Sequence, residues 1–144
     1  MLKLEPIGSV RSPITEGVDE NWDDVVSEIH LAAAFAPGLQ GLADFSHIIV
    51  VFFMHQSSFG ATTDLVHRPR GRADMPAVGI FSQRARRRPN PIGMTAVEIV
   101  GVAGPVLSVR GLDAIDGTPV LDIKPYVPAF DRVADALCRS GSSG

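Results

Sequence analysis

With 144 residues, 45% of them apolar and 20% charged, the chain can bury one core and is too apolar to be intrinsically disordered. A single cysteine, Cys138, excludes an internal disulfide framework, and no Cys/His spacing resembles a zinc site, so no metal is expected. The longest apolar run, residues 48–54, is far too short for a bilayer helix, and the first residues lack a signal-peptide stretch, which points to a soluble, cytoplasmic protein with no membrane partner.

In chain order the sequence reads as mostly β. Residues 2–11 form the first predicted strand, ended by Ser12-Pro13. An acidic loop containing Trp22 leads to a second strand at 26–31. Pro37, Gly38 and Gly41 punctuate the stretch 36–42, which predicts a helical turn at most. Residues 47–55 are a continuous β-branched and aromatic run, the pattern of a central strand buried on both faces. Shorter strands follow at 77–81, 95–102, 106–112 and 120–123, with turn signals at 101–105 and 116–119. Residues 129–139 suit a C-terminal helix, and 57–76 read as a long Arg/Pro loop. Short strands without long helical periods predict a mainly β fold, a barrel or sandwich forming one domain over 1–139, with a flexible tail at 140–144.

The charge is unevenly placed. Seven of the thirteen basic residues fall within 68–88, against one acid, Asp74, so this segment carries +6 while the whole chain is −3. Arginines gathered in one place suit an anion, because the guanidinium fork bonds two phosphate oxygens at once and stays charged at any working pH. The competing reading is a solvated loop paired with the acidic segment 16–28. Stacking aromatics do not support an RNA surface, since most of the seven phenylalanines lie in apolar runs.

Two strings stand out. In Arg88-Pro89-Asn90-Pro91-Ile92-Gly93-Met94 the two prolines remove backbone donors and push Arg88 and Asn90 toward extended conformations, so neither helix nor paired strand should continue there. Gly93 then permits a turn or a close approach to a ligand. In Asp116-Gly117-Thr118-Pro119 the Asp-Gly pair signals a hairpin. The strand after it places Asp122, Lys124 and Tyr126 on one face, lining either solvent or a pocket. His47 is expected to be a core histidine. His55, with Gln56 at the strand's end, is the better ligand candidate. Nucleotide-binding glycine motifs, His-Glu-x-x-His and Gly-x-Ser-x-Gly are all absent from the sequence.

Five strings together resemble the TsaA/TrmO (YaeB-like) family: Ile7-Gly8-Ser9-Val10-Arg11-Ser12-Pro13, Phe45-Ser46-His47 leading to His55-Gln56, Gly79-Ile80-Phe81-Ser82-Gln83-Arg84, the Arg88 to Met94 string, and Asp116-Gly117-Thr118-Pro119-Val120-Leu121-Asp122-Ile123-Lys124-Pro125-Tyr126. The resemblance implies a small β-barrel methyltransferase, usually a homodimer, that binds S-adenosylmethionine outside any Rossmann fold. It also implies methylation of N6 of threonylcarbamoyl-adenosine at tRNA position 37. Carried over by motif, the cofactor contacts are His55, Gln56, Arg84, Met94, Asp116, Gly117, Thr118 and Pro119, and Arg86, Arg87 and Arg88 would meet RNA. No catalytic base is assigned, although His55 is a candidate, since histidine is a common general base. A Pro-Arg-Gln string found in many relatives is missing from the loop after Pro13, and the chain is short after Tyr126. The alternatives are a methyltransferase for a small metabolite and a non-enzymatic RNA-binding barrel.

Overall fold

The computed structural model describes residues 1–16, 21–68 and 73–138. Part of the acidic loop, four residues of the arginine stretch (69–72), Arg139 and the tail therefore lie outside the described residues. The described strands are β1 (Gly8–Arg11), β2 (Val26–Leu31), β3 (His47–Phe53), β4 (Val66–His67), β5 (Val78–Gly79), β6 (Ile92–Ala103), β7 (Val106–Arg110) and β8 (Pro119–Pro125). Two single-turn helices, α1 (Ala61–Asp64) and α2 (Pro128–Asp131), and 3-10 turns at Ala33–Leu39, Leu42–Asp44 and Ile80–Ser82 complete the elements of the described residues.

Six strands close into a barrel in the order β1-β2-β7-β6-β3-β8, and every neighbouring pair is antiparallel. Closure leaves no barrel strand with an unpaired edge. β2 shows why its sequence makes a wall strand: Ser27, Ile29 and Leu31 point inward and are buried, while Val26 and Glu28 face out. The interior is filled by Val10, Ile29, Ile48, Val50, Phe52, Val97, Leu107, Val109 and Val120, so the barrel is a packed core and not a channel.

Several expectations change. β1 is limited to its last four residues, because β2 and β8 supply partners only from Gly8 onward. β3 buries one face: Ile48, Val50 and Phe52 enter the core, while His47 and Phe53 are exposed. A barrel has a single interior, so an all-apolar strand still presents half its side chains outward. His47 is thus an exposed residue whose Nδ1 meets Ser46 Oγ at 2.7 Å, not a core histidine. Ile92 and Gly93 lie in β6 despite the preceding prolines, pairing with Phe53 and Phe52. A Cβ at Gly93 would sit 2.6 Å from the Phe52 ring, so the close approach Gly93 permits is to a core aromatic. The long loop at 57–76 carries α1 and β4, and β4 pairs with β5 as a separate two-stranded sheet. Of the C-terminal helix only α2 forms, because Val133 and Leu137 stay exposed and offer nothing to pack a longer one.

The register defines two rims. At the upper rim lie the ends of β1, β3 and β7 and the starts of β2, β6 and β8. The connection 111–118 joins β7 to β8, which are not neighbours, so Asp116-Gly117 is a turn on a crossing of the barrel mouth and not a hairpin. Leu112, Ala114 and Thr118 are buried under it, and Asp113 accepts a hydrogen bond from Thr95 Oγ1 of β6. At the lower rim the two 3-10 turns between β2 and β3 cover a cavity of about 530 Å³ lined chiefly by Ile7, Leu31, Phe35, Leu39, Leu42, Phe45 and Ile123.

Candidate functional site

The two strings singled out by sequence meet at the upper rim, on either side of the end of β3. On one side Phe53 pairs with Ile92, and Met54 N–H donates to the Pro91 carbonyl at 2.7 Å. On the other, Phe52 pairs with Val120 at the start of β8, just after the Asp116 turn. His55 and Gln56 are exposed in a turn closed by Ser57 N–H donating to Met54 O at 2.9 Å. Gly117 lies next to that turn: its backbone has φ 83°, and a Cβ there would stand 3.9 Å from His55 Nε2. The positive φ explains the glycine, and the missing side chain leaves a shallow cradle beside the imidazole.

Asp116 is held from β1's continuation. Its Oδ1 accepts the Ser12 N–H at 3.0 Å and its own N–H donates to Ile14 O at 2.7 Å. Gly117 N–H donates to Val10 O at 2.8 Å. Thr118 is turned into the protein, its hydroxyl donating to Ile115 O at 2.6 Å, and Pro119 opens β8. The turn is therefore a rigid wall, and Asp116 is the exposed member of the four with a charged group.

The arginines differ in what they do. Arg84 is exposed and its Nη2 donates to the Met94 carbonyl at 3.1 Å, which lays it along the outer wall of β6. Arg88 is half-buried, and one nitrogen, Nη1, donates to both Gln83 O at 2.7 Å and Ala85 O at 2.9 Å. That geometry folds the segment between them. Arg87 lies 3.9 Å from the nearly buried Asp64, and Arg86 is exposed with its carbonyl accepting from Ser57 Oγ at 2.8 Å. Among the described residues the acidic partner of Arg87 is Asp64. Sequence reasoning passed over Gln83 and Ser57, although both tie this region together. Gln83 Nε2 donates to His67 O and Val78 O, each at 3.1 Å, stapling the end of the β4–β5 sheet to the arginine segment. Gln83 stood in a quoted string, but its amide was indistinguishable from a surface one. The Ser12–Asp116 link spans 104 residues and leaves no sequence signal.

Below this rim the outer faces of β3 and β6 carry exposed Phe53, Ile92 and Met94. Because the interior is packed, a ligand at this end of the barrel sits on the outer rim and not in a channel. Its surroundings are an apolar wall, a guanidinium, an imidazole, a carboxylate and a rigid turn. Such a donor set suits a ligand with a carboxylate, an apolar middle and a hydrogen-bonding heterocycle. Asp122 and Lys124 do share a face, pairing at 2.8 Å, but they lie toward the lower rim, where Asp122 borders the apolar cavity. The Asp122 hydrogen bond raises the Lys124 pKa, with the carboxylate's charge adding to the effect.

The family model of the tRNA-methyltransferase O N-terminal domain matches residues 13–132. The chain belongs to the TrmO family. Over 136 residues it is 39% identical to a probable S-adenosyl-L-methionine-binding protein of Methanothermobacter thermautotrophicus, covering 92% of this chain and 95% of that one. It is 40% identical over 147 residues to the tRNA (adenine(37)-N6)-methyltransferase of Escherichia coli, covering 93% of this chain and 61% of the relative. A crystal structure of TrmO from Pseudomonas aeruginosa superposes with a TM-score of 0.80 at 33% identity, over 99% of this chain and 64% of that one. The TrmO barrel described here thus spans under two thirds of those two longer proteins. Among the described residues no helix is long and apolar enough to cross a membrane.

Proposed function

We propose that this chain is an S-adenosylmethionine-dependent methyltransferase acting on tRNA, with N6 of threonylcarbamoyl-adenosine at position 37 as acceptor. The observation that carries the reading is the meeting of the Pro89–Pro91 bend and the Asp116-Gly117 turn beside His55, on the rim that also bears the arginines. S-adenosylmethionine supplies an activated methyl group on a sulfonium, so the protein's task is alignment of donor and acceptor.

The chain's own groups match that task. Arg84 is the guanidinium to hold the methionine carboxylate, and Met94 with Phe53 and Ile92 gives an apolar wall for its thioether part. The Asp116–Pro119 turn offers backbone and carboxylate groups to the adenosine, with the Gly117 cradle leaving room beside His55 and Gln56. His55 is exposed at the junction, and its imidazole is the group there that could take a proton from the acceptor nitrogen. Arg86 and Arg87 face solvent to meet phosphates, whereas Arg88 shapes the segment that presents them. A site this open, walled by exposed apolar side chains, supports a homodimer in which a second copy covers it. The cytoplasm, where tRNA is modified, is its expected compartment.

Isothermal titration with S-adenosylmethionine, followed by transfer of radiolabelled methyl into tRNA, tests the proposal. Arg84→Ala should weaken cofactor binding about 10- to 150-fold, the loss of one charged hydrogen-bonding partner. Absence of heat with the wild-type chain would sink the reading. Heat without transfer into tRNA would redirect it to a small-molecule acceptor.

A further inference from the structure

Phe81 is 79% exposed, although sequence pattern assigned it to a strand. It sits on the 3-10 turn Ile80–Ser82, and the residues around it are firmly anchored. Ile80 is 1% exposed and its N–H donates to Leu65 O at 2.8 Å. Gln83 is 8% exposed, its N–H donates to Ile80 O at 3.1 Å, and its side chain staples His67 and Val78. The ring is therefore displayed from a rigid post and is not the tip of a loose loop. Val66, opposite Gly79 in the small sheet, is exposed beside this post, and so is Leu65. Arg84, Arg86 and Arg87 follow within six residues, all exposed.

We propose that Phe81 is a stacking residue for an unstacked base of the RNA substrate, with the Arg86 and Arg87 guanidiniums on the flanking phosphates. This rests on the tRNA reading above and adds a residue to it. A π-face next to positive charge matches a nucleobase next to a phosphodiester: any base can stack on the ring, and each phosphate takes a guanidinium. An acidic peptide would satisfy the arginines but has no planar group for the ring. The anchoring of Ile80 and Gln83 matters because a preset ring loses little entropy when a base lands on it.

The test compares wild type with Phe81→Ala, Phe81→Leu and Phe81→Trp. Readouts are S-adenosylmethionine affinity by titration, KM and kcat for tRNA methylation, fluorescence anisotropy with a labelled single-stranded RNA, and sedimentation. Phe81→Ala and Phe81→Leu should each weaken RNA binding and raise KM roughly 5- to 150-fold. Phe81→Trp should stay near wild type, cofactor affinity should hold within about twofold in all three, and the salt slope of RNA binding should not change. An unchanged Phe81→Leu would overturn the proposal, since leucine keeps the apolar bulk without the π-face. Loss of cofactor binding in Phe81→Ala would assign the ring to the cofactor, and a change of oligomeric state would assign it to a contact between copies. The anisotropy arm stands without any methylation: if wild type transfers no methyl, the functional reading fails, and RNA binding still judges Phe81.

Discussion

The two ends of the barrel are closed in opposite ways. The lower rim is covered by a local segment, the 3-10 turns between β2 and β3, and what it encloses is apolar. The upper rim is crossed by 111–118 and flanked by the excursion between β3 and β6, and it is held by side chain to backbone hydrogen bonds that Gln83, Arg84 and Arg88 donate and Asp116 accepts. Apolar burial is non-directional and stabilises the fold. Directional polar contacts fix the positions of charged groups, which is what recognition needs. On the proposed function, one rim therefore serves stability and the other serves recognition.

The sharpest separation should come from the lower rim. Leu42→Ala removes a buried side chain under the 3-10 cover and should cost about 2–5 kcal/mol in denaturant unfolding. S-adenosylmethionine affinity, measured well below the transition, should not change. A matching loss of affinity would show that the rims are coupled.

At the upper rim, smaller and different effects are expected. Arg88→Ala leaves the Gln83 and Ala85 carbonyls without their shared donor and loosens the arginine segment. Cofactor and RNA binding should each fall about tenfold, in line with roughly 1–3 kcal/mol for one charged hydrogen-bonding group. Arg86→Ala should instead reduce the slope of log RNA affinity against log salt by about 0.7 to 0.9, with cofactor binding intact. If Arg88→Ala changed only the salt slope, Arg88 would be a phosphate contact and not the fold of its own segment.

The smallest effect belongs to the Asp122–Lys124 pair. Its lysine is raised above its ordinary 10.5, so the pair's contribution is fully present below that value and is lost as pH rises through the folded-state value. Both groups are exposed, so Lys124→Met should leave neutral-pH melting nearly unchanged and should flatten only the alkaline limb above about pH 10.5. A drop at neutral pH would mean that the pair braces the lower cavity.

Much of the barrel could be read in advance, for reasons visible in single elements. β2 coincides with its predicted span, and Glu28-Ile29-His30-Leu31 alternates polar out and apolar in, whereas Val26 facing out and Ser27 facing in run against the pattern. β3 was legible as a strand, while its two-sided burial was not, because an apolar run does not say whether its second face meets protein or solvent. The same ambiguity misplaced His47 and concealed Phe81. The C-terminal helix followed from local propensity, and it failed for want of a partner surface.

The candidate site divides in the same way. Arg84, the proline bend and the Asp-Gly turn could be picked out as strings, because unusual backbone chemistry and clustered charge are local properties. Their meeting beside His55 depends on β3 lying between β6 and β8, and on Asp116 being tied to Ser12 across the fold. Sequence by itself determined most of the extended segments, the span of β2 among them, and where the positive charge is concentrated. Tertiary structure alone decided which strands are neighbours, which arginine is spent on carbonyls and which aromatic stands in solvent. The physical reason is that a two-residue period specifies a strand and its faces, whereas pairing partners are selected by closure of the whole barrel.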